Sequence, residues 1–306
     1  MKKLTKLTLF EKHCEDRKQA IRKAKAIVDK DVIDTIKDLN IVNESSDFSI
    51  IFDQFAFLKR YDEWIHSSEK FKIKGLDKFK VRLVTNGITD AFSDFYITNK
   101  TISVLQGEYT YHRDLGYPVL DNIHTIPSYT ALIISYPFSA TGNVHPDWEK
   151  IMTVCEDKKI KVFVDCCLFG VSEVPTLDLN HDCITDVAFS FSKTFATGGL
   201  RTGILYRREE RKTPLELLNS HFYTQMAGMK IHYELMNKFS PDYMCNKYRQ
   251  KQIELAKELE VEPSDSVIFG VSKKEEHDYF ERDGYINRLC LSYGLQEFNK
   301  PFEDFK

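Results

Sequence analysis

The chain has no run of about 18 apolar residues, so it offers no candidate for a membrane-spanning helix. Its opening, MKKLTKLTLF, is basic but lacks the apolar stretch of a secretory signal. No two of the seven cysteines stand in CxxC spacing. Cys166 and Cys167 are adjacent and would point to opposite faces of a strand, so reduced thiols in a cytoplasmic protein are expected and a metal site is not. A net charge of −3 carries no basic excess for nucleic acid and no acidic tail. Internal repeats and low-complexity linkers are missing too, so the parts of the chain are expected to pack on one another. What remains is ordinary globular composition, 42% apolar and 29% charged. A length of 306 residues suffices for one large domain or two ordinary ones.

Residues 11–39 place apolar groups at helical spacing: Ala20, Ala24, Ile27, Val28, Ile33, Ile36 and Leu39. From about residue 79 short β-rich runs take over: VRLV (81–84), ISVL (102–105), ALIIS (131–135), KVFVD (161–165), VAFSF (187–191) and GILY (203–206). Several are continuously apolar, as in a sheet covered on both faces. PDWEKIMTVCEDKK (146–159) between them reads as a helix with Pro146 early. Alternating strands and helices predict an α/β domain. Beyond residue 212 the text is helical again, with a helix over 243–260, then strand-like SVIFGV (266–271) and INRLCLSYG (286–294). This predicts an N-terminal segment (1–78), a large domain (79–212) and a smaller α+β piece (213–306).

Three stretches carry chemistry. In NGITDAF (86–92) a strand, Gly87, Ile88 and Thr89 lead into a helix whose first N–H groups are free to hold an anion. In VFVDCCLFG (162–170), Asp165 ends an apolar strand, where a carboxylate is costly unless paired, for example with a protonated ring nitrogen. In SFSKTFATGGLRTG (190–203), Lys193 follows a buried strand, where desolvation lowers an amine's pKa and makes it a nucleophile toward carbonyls. Ser190, Ser192 and Arg201 supply donors for a phosphate. Taken singly, these stretches have plainer readings: a turn, a capping Asp, a solvated Lys.

Taken in order, from about residue 79 to 295, they resemble fold type I pyridoxal-phosphate enzymes of the class I/II aminotransferase family, especially short histidinol-phosphate aminotransferase-like members. The resemblance implies a three-layer α/β/α domain with a mostly parallel sheet, a smaller α+β domain, and pyridoxal 5'-phosphate as cofactor. It implies that Lys193 forms the Schiff base and moves the proton, and that Asp165 keeps the pyridine nitrogen protonated. Phosphate would fall to Gly87, Ile88, Thr89, Ser190, Arg201 and, less firmly, Ser192. In GEYTYH (107–112), Tyr109 would stack on the ring; Glu108 and Tyr111 are neighbours without a role. Arg288, in NRLCLSYG, would clamp the substrate α-carboxylate. Tyr61, in an aromatic cluster, is read as packing.

The chain departs from the family in two places. Ser139 stands where the family has Asn, and Leu168 where it has Tyr. Both family residues bond the cofactor's phenolic oxygen, and the Ser139 hydroxyl or an ordered water is the candidate to replace part of that bonding. The family's trimmed periphery here bears more on the substrate than on the cofactor. The expected activity is transfer of an amino group from an amino acid to a 2-oxo acid, in a cytoplasmic homodimer. The alternatives are a lyase, decarboxylase or cyclase of the same fold, and a non-catalytic binding protein.

Overall fold

The computed structural model describes residues 24–39, 53–282 and 284–296. Helices of at least eight residues are α1 (Lys30–Lys37), α2 (Gln54–His66), α3 (Ile88–Thr98), α4 (Trp148–Asp157), α5 (Met226–Lys238) and α6 (Tyr243–Glu258). The strands, in chain order, are β1 (Phe71–Lys74), β2 (Val81–Thr85), β3 (Ile102–Leu105), β4 (Val119–Leu120), β5 (Ala131–Ser135), β6 (Lys161–Cys166), β7 (Val174–Asp178), β8 (Ile184–Ser190), β9 (Gly203–Arg207), β10 (Glu262–Pro263), β11 (Phe269–Ser272), β12 (Glu281–Arg282) and β13 (Ile286–Cys290).

The six runs read as strands all lie in one seven-stranded sheet of order β2-β9-β8-β6-β5-β3-β4. It is parallel except for β9, which runs antiparallel to both β8 and β2. The alternation along each strand builds two cores. Val84, Ile134, Val164 and Phe189 face one core, with Trp64 of α2, Met152 of α4 and Met229 of α5. Leu83, Ile133, Phe163 and Ala188 face the other, with Phe92 and Phe95 of α3. The result is a three-layer α/β/α unit, the architecture of fold type I pyridoxal-phosphate enzymes. A smaller antiparallel sheet, β10-β11-β13-β12, packs on α6 with its own cluster, including Tyr248, Phe269 and Leu289.

Two expectations need correcting. Within 11–39, residues 24–29 are not helical; α1 begins only at Lys30, because the Asp29 carboxylate caps it by accepting from the Val32 N–H at 3.0 Å. Ile27 instead is buried in the cluster of the small sheet; residues 11–23 lie outside the described residues. In SVIFGV the strand starts at Phe269, because the Ser266 and Val267 N–H groups are taken by the Gly142 and Val171 carbonyls, at 2.9 and 2.8 Å. Those bonds tie the small sheet to the loops above β5 and β6.

Arg207, on β9, is fully buried. Its Nε donates to Asp186 of β8 at 2.9 Å, its Nη1 to Glu216 at 2.8 Å, and its Nη2 to Asp94 of α3. The cluster bolts α3 to the sheet and so fixes where the N-terminus of α3 points. Removing Asp186 breaks its buried pairs with both Arg207 and Arg211, and breaking a buried pair costs about 3–5 kcal/mol. Asp186→Ala should therefore lower the unfolding free energy in urea by about 3 kcal/mol, whereas exposed Arg82→Ala, which breaks the pair with Asp62, should cost under about 1 kcal/mol.

Candidate active site

Parallel strands β5, β6 and β8 end side by side, so residues at their carboxyl ends share one space. A cavity of about 480 Å³ opens there. Its walls include Ile88, Thr89, Tyr109, Ser139, Asp165, Ser190, Ser192, Lys193, Arg201 and Arg288. Ten of the eleven residues singled out in the sequence thus face one cavity, and the eleventh, Gly87, immediately precedes α3 beside it.

Asp165 is buried one residue before the end of β6 and accepts from the Cys167 N–H at 2.8 Å. Burial pushes its carboxyl up to about 6, opposed by that hydrogen bond and by the charge of Lys193. Lys193 sits in the single helical turn Phe191–Thr194 that follows β8. Burial lowers its amine below the ordinary lysine value, and its Nζ donates to the Ala24 carbonyl at 2.7 Å. The buried Asp165 and the half-buried Lys193 therefore line the same cavity, close enough for the lysine's charge to act on the carboxyl.

The anion cradle is equally defined. Gly87 precedes α3 with φ +76°, a left-handed conformation that glycine adopts without strain, and no side chain caps the helix. A Cβ on Gly87 would lie 2.6 Å from the Arg201 guanidinium. Arg201 Nη2 donates to Thr89 Oγ1 at 2.9 Å, and Ser190 Oγ lies 2.8 Å from Ser192 Oγ. Two uncapped backbone N–H groups, three hydroxyls and a guanidinium converge, which suits a phosphate.

Arg288 is fully buried on β13, stacked over the Phe269 ring at 4.2 Å, and Nη1 donates to the Ser139 carbonyl. Burial, helped by the charge of Arg282, lowers its guanidinium to about 9. Leu168 is buried and brings no hydroxyl to the wall it shares. Tyr61 packs edge-on against Phe191 at 5.5 Å, inside the core as read from the sequence. His112 is fully buried, with Nδ1 2.6 Å from the Tyr96 hydroxyl. Ala24, Ser135, Cys167 and Arg282 also line the cavity; no motif marks them, because they come from four separate segments. Glu108 lies just behind the wall; it stood next to Tyr109 in the sequence, but nothing there marked it as buried.

The model of the family described as aminotransferase class I and II matches residues 119–269. The fold is similar to a crystal structure of an aminotransferase from Mycobacterium tuberculosis, at TM-score 0.64 and 13% identity over 94% of each chain. It is similar as well to a Thermus thermophilus aspartate aminotransferase double mutant, at TM-score 0.62 and 14% identity, covering 98% of this chain and 94% of that one. A pyridoxal-phosphate-bound C-S lyase from Staphylococcus hominis aligns at TM-score 0.55 and 11% identity over 88% of this chain and 86% of that one. Among curated protein sequences there is no match. The chain thus carries the sequence pattern of the class I and II aminotransferases over residues 119–269 on a fold type I framework. That family works with pyridoxal 5'-phosphate, and the acid, amine and anion cradle fit that group. A histidinol-phosphate-like specificity finds no support beyond the family itself.

Because the Gly87 position has no room and a left-handed φ, Gly87→Ala should displace Arg201. The full-length variant should bind inorganic phosphate, measured by calorimetry, about tenfold more weakly, in line with the 1–2 kcal/mol of a left-handed non-glycine residue.

Proposed function

We propose that this protein is a pyridoxal-phosphate-dependent enzyme acting on an amino acid, and that its reaction is amino-group transfer to a 2-oxo acid. The observation that carries the reading is the convergence of a desolvated amine, a buried acid and an anion cradle on one cavity. Bound pyridoxal phosphate supplies an electron sink for charge released at the substrate Cα.

The chain's own residues do the rest. Lys193 holds the cofactor through its amine; burial keeps a larger share of that amine neutral and nucleophilic. With its amine freed when substrate binds, Lys193 would carry the proton from the substrate Cα to the cofactor carbon C4′, as amino-group transfer requires. Asp165, ionised above about 6, stands opposite Lys193 to hold a proton on the ring nitrogen. Gly87, Ile88, Thr89, Ser190, Ser192 and Arg201 hold the phosphate, and Tyr109 covers the ring face. Arg288 grips the substrate carboxylate with two parallel hydrogen bonds. Arg288 is already fixed by Ser139 and Phe269, so little ordering remains when substrate arrives.

A homodimer is part of the proposal. Ile97, Leu217, Leu218, Phe222 and Tyr223 are exposed together with Phe55, whose ring lies 5.7 Å from Phe222; a second copy of the chain would cover them. No helix of the described residues is long and apolar enough to cross a membrane; a cytoplasmic location is part of the proposal. The second reading is a lyase of the same fold. Leu168 favours it, since the missing hydroxyl changes how the cofactor's phenolic oxygen is held, and a C-S lyase shares the fold.

Borohydride reduction of the loaded protein should fix the cofactor on Lys193, read by peptide mass, and Lys193→Ala should lower turnover at least about a thousandfold. With candidate amino acids and 2-oxoglutarate, transfer predicts stoichiometric keto acid. Ammonia release without new amino acid would establish the lyase reading instead. Arg288→Lys should raise KM by about tenfold or more, since a point charge replaces the planar fork.

A further inference from the structure

We propose that Glu108 and Ser135 form a positioning pair behind Asp165: the Glu108 carboxylate fixes Tyr109 and the end of β5, and the Ser135 hydroxyl passes a proton between Glu108 and the cavity. The proposal rests on the cofactor reading above and adds to it a residue whose part in the site neither the motifs nor the family pattern marked.

Glu108 is buried, with 3% of its surface exposed. Oε1 accepts from the Ser135 N–H at 2.6 Å, while Oε2 accepts from the Ser135 hydroxyl at 2.7 Å and the Tyr109 N–H at 3.0 Å. All three of these donors are neutral. Ser135 closes β5, lines the cavity, and is the register partner of Asp165 across the parallel β5–β6 pair. Glu108 therefore staples the residue meant to cover the ring to the strand beside the residue meant to hold the ring nitrogen. The slot between Tyr109 and Asp165 depends on that staple.

The two backbone N–H groups can only donate, but the hydroxyl can donate or accept. Ionised Glu108 receives all three. When Glu108 is protonated, its Oε2–H donates to Ser135 Oγ, and the hydroxyl hydrogen turns toward the cavity. A proton then leaves Glu108 for Ser135 Oγ as the serine's own proton passes to a water oxygen in the cavity; only O–H bonds form and break. Burial, reinforced by the charge of Asp165, pushes the Glu108 carboxyl up to about 7, so both forms exist near neutrality. Around it stand Asp165 on β6, Lys193 and Arg201 across the cavity, and Tyr109, Tyr111 and His112 on the following turn.

The first measurement uses the full chain without cofactor: thermal unfolding from about pH 5 to about pH 8 for wild type, Glu108→Gln and Ser135→Ala. A carboxyl raised in the folded state gives stability that is fullest below its ordinary value of 4.5 and is lost as pH rises through about 7. Glu108→Gln should flatten that loss, and Ser135→Ala, which keeps both backbone donors, should shift its midpoint. The second measurement is pyridoxal phosphate affinity over the same range. Ser135→Ala should bind it about tenfold more weakly above neutrality and lower kcat by a similar factor, as loss of an outer partner does elsewhere, with substrate KM within about twofold. The pair is overturned if Glu108→Gln loses stability with pH in parallel with wild type, or if Ser135→Ala matches wild type in cofactor affinity at every pH. Should Glu108→Gln fail to fold, Ser135→Ala alone decides. A wild type that binds no pyridoxal phosphate would sink the cofactor reading, while the cofactor-free titration still decides whether Glu108 holds the proton.

Discussion

Burying an amine and an acid at neighbouring strand ends is the constraint on which this protein depends. Neither Lys193 nor Asp165 would be placed there for stability, because desolvation works against the charged form of each. The parallel packing of β6 and β8 forces them together, and the mutual attraction of their charges offsets part of the cost. A sheet that turned either strand around would carry one of the two to the opposite edge.

The surrounding structure follows from holding that pair dry and in place. Aromatic rings from α2 pack behind β8 and the Lys193 turn, with Tyr61 and Trp64 both against Phe191 of that turn. The Arg207 cluster anchors α3, which carries half of the anion cradle. The small sheet brings Arg288 over the far wall and is fastened to the loops after β5 and β6 by main-chain bonds. Ala24 and Lys25 cross the cavity, held where the Ser292 hydroxyl donates to the Lys25 carbonyl at 2.6 Å.

The two departures from the family sit on this frame in different ways. Leu168 joins the core of the small sheet, so its position has been given over to packing. Ser139 keeps its place on the wall, but its carbonyl has become a fixed point for Arg288. Buried polar groups beside the site lie on β5 and the turn after β3, where the Ser135 hydroxyl donates to Glu108.

Sequence alone determined six strands of the main sheet and the alternation of strand and helix, because continuous apolar runs leave their mark within a few residues. The stretches around Gly87, Asp165 and Lys193 have plain readings one by one; only their order along the chain singles them out, and the fold brings them to one cavity. The extent of the N-terminal helix was misread because apolar spacing in 24–29 serves the small sheet's core, a partner more than two hundred residues away. Only the tertiary structure decided that Glu108 is buried beneath Ser135, that Arg282 stands near Arg288, and that Ala24 meets Lys193. Burial and proximity between distant segments set those pairings and the resulting shifts in charge, and neither quantity is written in residue order.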